Sequence, residues 1–150
     1  MVDVGRKRVT SRSALARARV RFPPGVLEAV LAGSGPKGPV IEVARTAGLL
    51  AAKRTAELIP LCHPLGLDHV EIGFEPVRGG RRGGRLEIRC RAACRGRTGV
   101  EMEALVGASI AALTVYDMAK GLDHGIEIEA IELLEKRGGR SGAWRRADAG

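Results

Sequence analysis

Arg85-Leu86-Glu87-Ile88-Arg89-Cys90-Arg91-Ala92-Ala93-Cys94-Arg95 decides the fold, because its side chains alternate in character almost throughout. On an extended chain successive side chains point to opposite faces. Leu86, Ile88, Cys90, Ala92 and Cys94 therefore share a core face, while Glu87, Arg89, Arg91 and Arg95 share a wet one. Leu67 to Val77 reads as a second strand just before it. Between them Arg78-Gly79-Gly80-Arg81-Arg82-Gly83-Gly84 supplies glycines for a hairpin turn, so the pairing is expected to be antiparallel.

Beyond the hairpin, Ala104 to Ala119 is apolar around nearly its whole circumference and stops at Gly121, the pattern of a buried helix. Such a helix needs cover on both sides. In a small domain a sheet covers one side and a neighbouring subunit the other, which predicts an oligomer. Ile126 to Leu134 alternates as a final strand, and the Gly- and Arg-rich tail from Arg137 to Gly150 is expected to be flexible. Before the hairpin, Leu15 to Phe22 alternates as a first strand, and Pro23-Pro24 ends it. Val26 to Leu31 forms a short helix, and Gly33-Ser34-Gly35-Pro36-Lys37-Gly38 is a loop. Val40, Val43, Ala44, Ala47, Leu50, Ala51 and Leu58 recur at helical spacing, which predicts a helix from Pro39 to Leu58. Pro60 and Pro64 exclude its continuation through Ile59 to Leu65, a connector apolar enough to be expected to pack inward. Met1 to Thr10 is basic, without clear periodicity, and expected to be flexible. The order is that of an α+β, ferredoxin-like βαββαβ sandwich with an antiparallel sheet and an extra helix, with residues 1–150 as one catalytic domain.

Composition narrows the function. At 150 residues, one core can bury roughly two-thirds of the unfolded surface. Aromatics are only 3%, so that core is built from Ala, Val, Leu and Ile. The net charge of +8 favours anionic partners without choosing between phosphates and nucleic acid. Three cysteines, an odd number with no disulfide framework, and the lack of an apolar leader point to a reducing cytoplasm. The longest apolar run is interrupted by Gly107, Ser109, Thr114 and Asp117 and falls short of the roughly 20 residues that span a bilayer.

Three places can carry chemistry. Cys62-His63 offers a thiol and an imidazole, but neighbours on an extended chain point apart, so a buried Cys with a hydrogen-bonded His is the plainer reading. The cysteine and histidine spacing matches no common zinc pattern. Glu101 and Glu103 share a face if their stretch is extended, as Gly96 and Gly99 favour, and lie about 200° apart if it is helical. Asp117 and Lys120 share one helix face, in a segment expected to bury Asp117 and so to require a partner for it. Burial would also tune the Asp117 carboxyl for acid or base work. Glu103 and Asp117 are 14 residues apart, about 21 Å along a helix. Either the substrate is long or a second subunit completes the site. Arg12, Lys37, Lys53, Arg54 and Lys120 are the cations available to a polyphosphate, and no phosphate-loop or dinucleotide fingerprint is present.

The strings Met1-Val2-Asp3-Val4, Ala51-Ala52-Lys53-Arg54-Thr55, Leu58 through Leu65, Thr98 through Leu105, Tyr116-Asp117-Met118-Ala119-Lys120 and Gly138-Gly139-Arg140-Ser141-Gly142 are spread along the chain, and the resemblance they carry extends over nearly all of it. They resemble the cyclic pyranopterin monophosphate synthases, the molybdenum cofactor biosynthesis protein C family. The resemblance implies a ferredoxin-like fold and a hexamer built as a trimer of dimers, with sites at subunit boundaries. It implies a phosphorus-oxygen lyase that converts the cyclised dihydro-GTP intermediate, 3',8-cyclo-7,8-dihydroguanosine triphosphate, to cyclic pyranopterin monophosphate with release of pyrophosphate. No metal or redox cofactor is implied, and the substrate links the chain to an upstream radical enzyme. Carried over by position, Asp117 and Lys120 match catalytic residues. Leu61, Cys62, His63, Glu101, Met102 and Glu103 match substrate-contacting stretches, and Lys37 and Arg12 match basic residues near the phosphates, with Lys37 assigned to the catalytic set.

The competing class is a nucleic-acid-binding module, since a basic ferredoxin-like sheet also recognises RNA by stacking bases on sheet aromatics. Phe22, Phe74, Tyr116 and Trp144 are scattered, which leaves that reading with little beyond net charge.

Overall fold

The computed structural model describes residues 1–147. The quoted stretch lies within β3 (Gly84–Gly96), which pairs antiparallel with β2 (His69–Arg78) across a short 3-10 turn at Gly80–Arg82. The alternation is realised as read: Leu86, Ile88, Cys90, Ala92 and Cys94 are all at most 2% exposed. With β1 (Thr10–Phe22), β4 (Glu127–Arg137) and β5 (Trp144–Arg145), the sheet order is β2-β3-β1-β4-β5, every pairing antiparallel. The first four strands take the ferredoxin-like order.

Among the described residues the α-helices lie in the two crossovers: α1 (Val26–Leu31), α2 (Val40–Lys53) and α3 (Thr55–Leu58) between β1 and β2, and α4 (Glu101–Ala119) between β3 and β4. Ala14, Ala16, Ala18, Val20 and Phe22 of β1 face the same core as Ala104, Ala108, Ala111, Ala112 and Val115 of α4. These small side chains let α4 lie close to the sheet. Helix α2 covers a second side of α4 within the same chain, and the crossing is tight. A Cβ on Gly48 would stand 2.8 Å from the Gly107 carbonyl oxygen, and one on Gly107 would stand 2.6 Å from Cys90 Sγ. Helix α4 is long and apolar enough to cross a membrane by length and composition, yet much of it is buried in this fold, where it serves as the core helix.

Four expectations change. The helix read from Pro39 to Leu58 breaks at Arg54, whose φ of −115° and ψ of 20° leave the helical region, and α3 restarts the chain in a new direction. β1 begins at Thr10, five residues before the apolar alternation is visible, because its polar start, Thr10 to Ser13, is held by pairing with β3. The tail contributes β5, where Trp144 pairs with Lys136 and Arg145 with Glu135. Of the tail expected to be flexible, residues 148–150 lie outside the described residues. The connector Ile59 to Leu65 is only partly inward: Leu65 packs on the core, but a turn closed by Cys62 N–H on the Ile59 carbonyl leaves Leu61 72% exposed.

The face of the sheet away from the helices is polar and internally neutralised. Arg17, 3% exposed, donates from Nη2 to Glu132 at 2.6 Å, and Arg85 pairs with Glu129 at 2.8 Å and Arg89 with Glu87 at 3.0 Å. Arg21 bonds Glu127 on the same face. Phe22 is buried, and Phe74 lies beneath the Arg45 guanidinium at 5.1 Å. This face is a lattice of arginine and glutamate rather than a stacking platform.

Candidate active site

Two groups of functional side chains stand at opposite ends of α4. At its C-terminal end the glycine loop folds back over the last turn, with Gly33 and Gly38 at φ of 67° and 84°, a backbone region that glycine adopts freely. The loop brings Lys37 Nζ to 2.6 Å from Asp117 Oδ2, while Lys120 Nζ, three residues on, lies 2.7 Å from Oδ1. One carboxylate is thus clamped between two ammonium groups. Its pKa is pushed down to about 2, chiefly by the hydrogen bond from Lys120 and next by that from Lys37, and the Lys120 ammonium is correspondingly held protonated. The sequence expectation of a buried Asp117 is corrected, since its side chain is 52% exposed. Val115, Met118 and Ala119 take the inward positions of that turn, which turns Asp117 toward solvent. Its partners are cations rather than an apolar wall.

At the N-terminal end, helical geometry decides the question left open for Glu101 and Glu103. Helix α4 starts at Glu101, so the two carboxylates diverge instead of sharing the face that an extended entry would give. Glu103 turns inward and is 3% exposed, whereas Glu101 folds back over Gly99. Burial pushes the Glu103 carboxyl up, and the neighbouring charge of Glu101 adds to that push. Burial likewise raises the Cys62 thiol, with the Glu103 charge as a second cause. Cys94 is raised for the same two reasons, and Cys90, deep in the core, is pushed up to about 12. None of the three is set up as a thiolate nucleophile.

A cavity of about 290 Å³ opens beside Glu103, lined by Leu61, Cys62, His63, Glu101 and Met102 among others. His63 Nε2 lies 2.8 Å from the Val2 carbonyl oxygen. An oxygen of that kind only accepts, so Nε2 carries the hydrogen and Nδ1 remains available. The same contact ties the N-terminal arm down over the cavity.

That arm supplies residues the sequence reading did not single out. Lys7 lines the cavity and also a neighbouring hollow of about 970 Å³ walled by Arg6, Arg8, Thr10, Arg12 and Arg140. Arg12 donates from Nη2 to the Arg97 carbonyl at 3.3 Å, and its guanidinium lies over Gly139. Among the described residues, Thr10 Oγ1 and Arg12 Nε are buried without a hydrogen-bond partner. Thr10 and Arg12 both wall the hollow, whose crowd of cations suits an anionic ligand. The available signal was the run Arg6-Lys7-Arg8, whose basic character was visible but whose docking against His63 was not.

Among the described residues, no group of three or more His, Cys, Asp and Glu side chains is placed to hold a metal ion. Lys53 and Arg54 stay near the α2–α3 bend, and Arg54 pairs with Glu57 at 2.9 Å.

Comparison with known proteins gives these groups a context. A model of the MoaC family matches residues 1–139. The chain belongs to the MoaC family. A relative in Chloroflexus aggregans is 54% identical over 149 residues, covering 99% of this chain and 88% of that protein. Relatives in Novosphingobium aromaticivorans and Thermomicrobium roseum are 53% and 55% identical over 148 residues, covering 99% of this chain and 91% and 87% of those proteins. All three are called cyclic pyranopterin monophosphate synthase. The MoaC-family match contains both ends of α4, the glycine loop and the N-terminal arm.

Proposed function

We propose that this chain is the lyase of molybdenum cofactor biosynthesis that converts the cyclised dihydro-GTP intermediate to cyclic pyranopterin monophosphate and pyrophosphate. The observation that carries the reading is that two unlike spaces lie side by side, with Lys7 on the wall of both. One is a small cavity with acid, thiol and imidazole groups, the other a broad basic hollow. A ring system with a triphosphate has that division, with a hydrogen-bonding head and a polyanionic tail. The nucleic-acid alternative loses its footing on a sheet face whose arginines are paired with glutamates.

Within this reading the groups take distinct parts. Opening the purine ring needs a proton for a nitrogen and a water molecule for the carbon. Lys120, held protonated by Asp117, is a proton donor, and ionised Asp117 takes a proton from the attacking water. Glu103, which burial holds toward its neutral form, is a second acid. Lys37, Arg12 and Lys7 neutralise the triphosphate while a ribose hydroxyl attacks the innermost phosphorus and pyrophosphate leaves. His63 Nδ1 and the Met102 side chain fix the ring between them.

The separation of about 21 Å between Glu103 and Asp117 along α4 favours a site completed by a second copy of the chain. Leu61 and Leu113, 72% and 52% exposed, are apolar groups for such a partner to cover. A hexamer with sites at subunit boundaries and a substrate delivered by an upstream radical enzyme belong to the same reading.

The test is to supply purified protein with the cyclised intermediate and measure pyrophosphate and the pterin product. Turnover by the unaltered chain, with loss in folded Asp117→Asn and Lys120→Ala, is expected. Full activity in both variants would remove the catalytic assignment.

A further inference from the structure

Glu103 stands between two separate spaces. One is the cavity beside Cys62 and His63. The other, of about 130 Å³, lies under the α2–α3 bend among Lys53, Thr55, Ala56, Glu57 and Leu65. Among the described residues, Glu103 is the one that lines both. We propose that the cavity under the bend is the route by which Glu103 exchanges protons with water while substrate fills the other side. The proposal rests on the reading of the first cavity as the substrate site.

A route of this kind is needed because Glu103 is 3% exposed and substrate would seal its remaining side. The bend creates the route. Arg54 leaves helical geometry and α3 restarts there, with Arg54, Thr55, Ala56 and Glu57 on the wall of the cavity. The walls are polar at the rim, where Lys53 and the Arg54–Glu57 pair meet solvent. The Thr55 hydroxyl donates backward to the Ala52 carbonyl at 3.0 Å, which leaves its lone pairs to receive a water hydrogen. The volume holds a few waters, each with polar partners.

The step balances simply. The Glu103 O–H bond breaks as an N–H bond forms on the substrate ring. The carboxylate then takes a proton from water in the second cavity, and the hydroxide left there is reprotonated from bulk solvent through the rim. The charged and titratable groups around Glu103 are Cys62, His63 and Lys7 on the substrate side, Cys94 from β3, Glu101 on its own helix, and Lys53, Arg54 and Glu57 on the water side. Burial favours the neutral carboxyl, as a group that hands over a proton and recovers it requires.

Ala56→Leu fills the second cavity without touching the first, and Ala56→Met does so with an unbranched, more adaptable side chain. Turnover of the cyclised intermediate is measured in light and heavy water beside the unaltered chain. The expected result is a fall in kcat of about tenfold with KM within about twofold, and a larger solvent isotope effect as proton recovery becomes limiting. Unchanged kcat and isotope effect in a folded variant overturn the route. A rise in KM matching the loss of kcat also overturns it, since the filling would then act on the substrate side. Absence of turnover in the unaltered chain counts against the functional reading, whereas unchanged variants beside an active parent count against the route alone.

Discussion

Glu103 in the first turn of α4 and Asp117 in the last are the same functional group driven in opposite directions. Glu103 is enclosed, faces Cys62 and Cys94, and has its carboxyl raised by burial. Asp117 is half-exposed, lies between Lys37 and Lys120, and is pushed down to about 2 by their hydrogen bonds. Burial alone would have suggested that one turn of an apolar helix resembles another. The difference arises from what each end meets: a wall of small apolar groups and thiols, or a glycine loop that delivers a lysine. One helix thereby carries a carboxyl that burial shifts toward its neutral form and another that two ammonium groups hold ionised.

The comparison breaks most sharply at the C-terminal end. Lys120→Ala removes one clamp on Asp117 and, on the proposed assignment, a proton donor, so pyrophosphate release is expected to fall by about three to four orders of magnitude. Glu103→Gln is expected to cost about a hundredfold in kcat while making the protein more stable at alkaline pH. The sign follows from linkage. A carboxyl raised in the folded state favours folding while it is protonated, and that benefit fades as pH rises through its folded value. Neutral Gln loses nothing over that range, so its gain in Tm over the parent is expected to be larger at pH 8 than at pH 4. An equal shift at both would contradict the assignment.

Asp117 predicts the reverse dependence. Its depressed carboxyl favours folding above the ordinary carboxylate range, and the benefit is lost as pH falls through about 2. The Tm difference between the parent and Asp117→Asn is therefore expected at pH 6 and to vanish near pH 2. Between the two ends, Gly107→Ala tests the rod that joins them. Overpacking against Cys90 and α2 is expected to cost about 1–3 kcal/mol by denaturant unfolding. The smallest effect belongs to the far face of the sheet, where Arg85→Ala is expected to change stability by at most about 1 kcal/mol, because its pair with Glu129 is partly solvated.

Much of this was legible in the sequence where side-chain period reports burial directly. The alternation in β3 and the all-round apolar character of α4 gave the sheet pairing and the core helix. Arg54 was not legible, because a helix can break without Gly or Pro when the next turn has a better surface to pack on. Asp117 was misplaced for a related reason. Its apolar neighbours describe where the helix packs on average, and a terminal turn escapes that average. Lys7 was missed because a basic arm without periodicity becomes part of a site only through long-range contacts such as that of Val2 with His63. Spacing put Asp117 and Lys120 on one helix face and the resemblance pointed to Lys37 as well, while the structure adds that Lys37 joins the other two in one cluster.

The central claim is that the unlike carboxyls at the two ends of α4 serve one reaction through two copies of the chain. Glu103→Gln and Asp117→Asn are each expected to be nearly inactive. Co-expressed and purified together, random pairing would leave half of the pairs mixed, with one of two sites intact in each. Turnover of the cyclised intermediate should then recover to about a quarter of the parent value. A mixture no more active than either variant alone would contradict the claim.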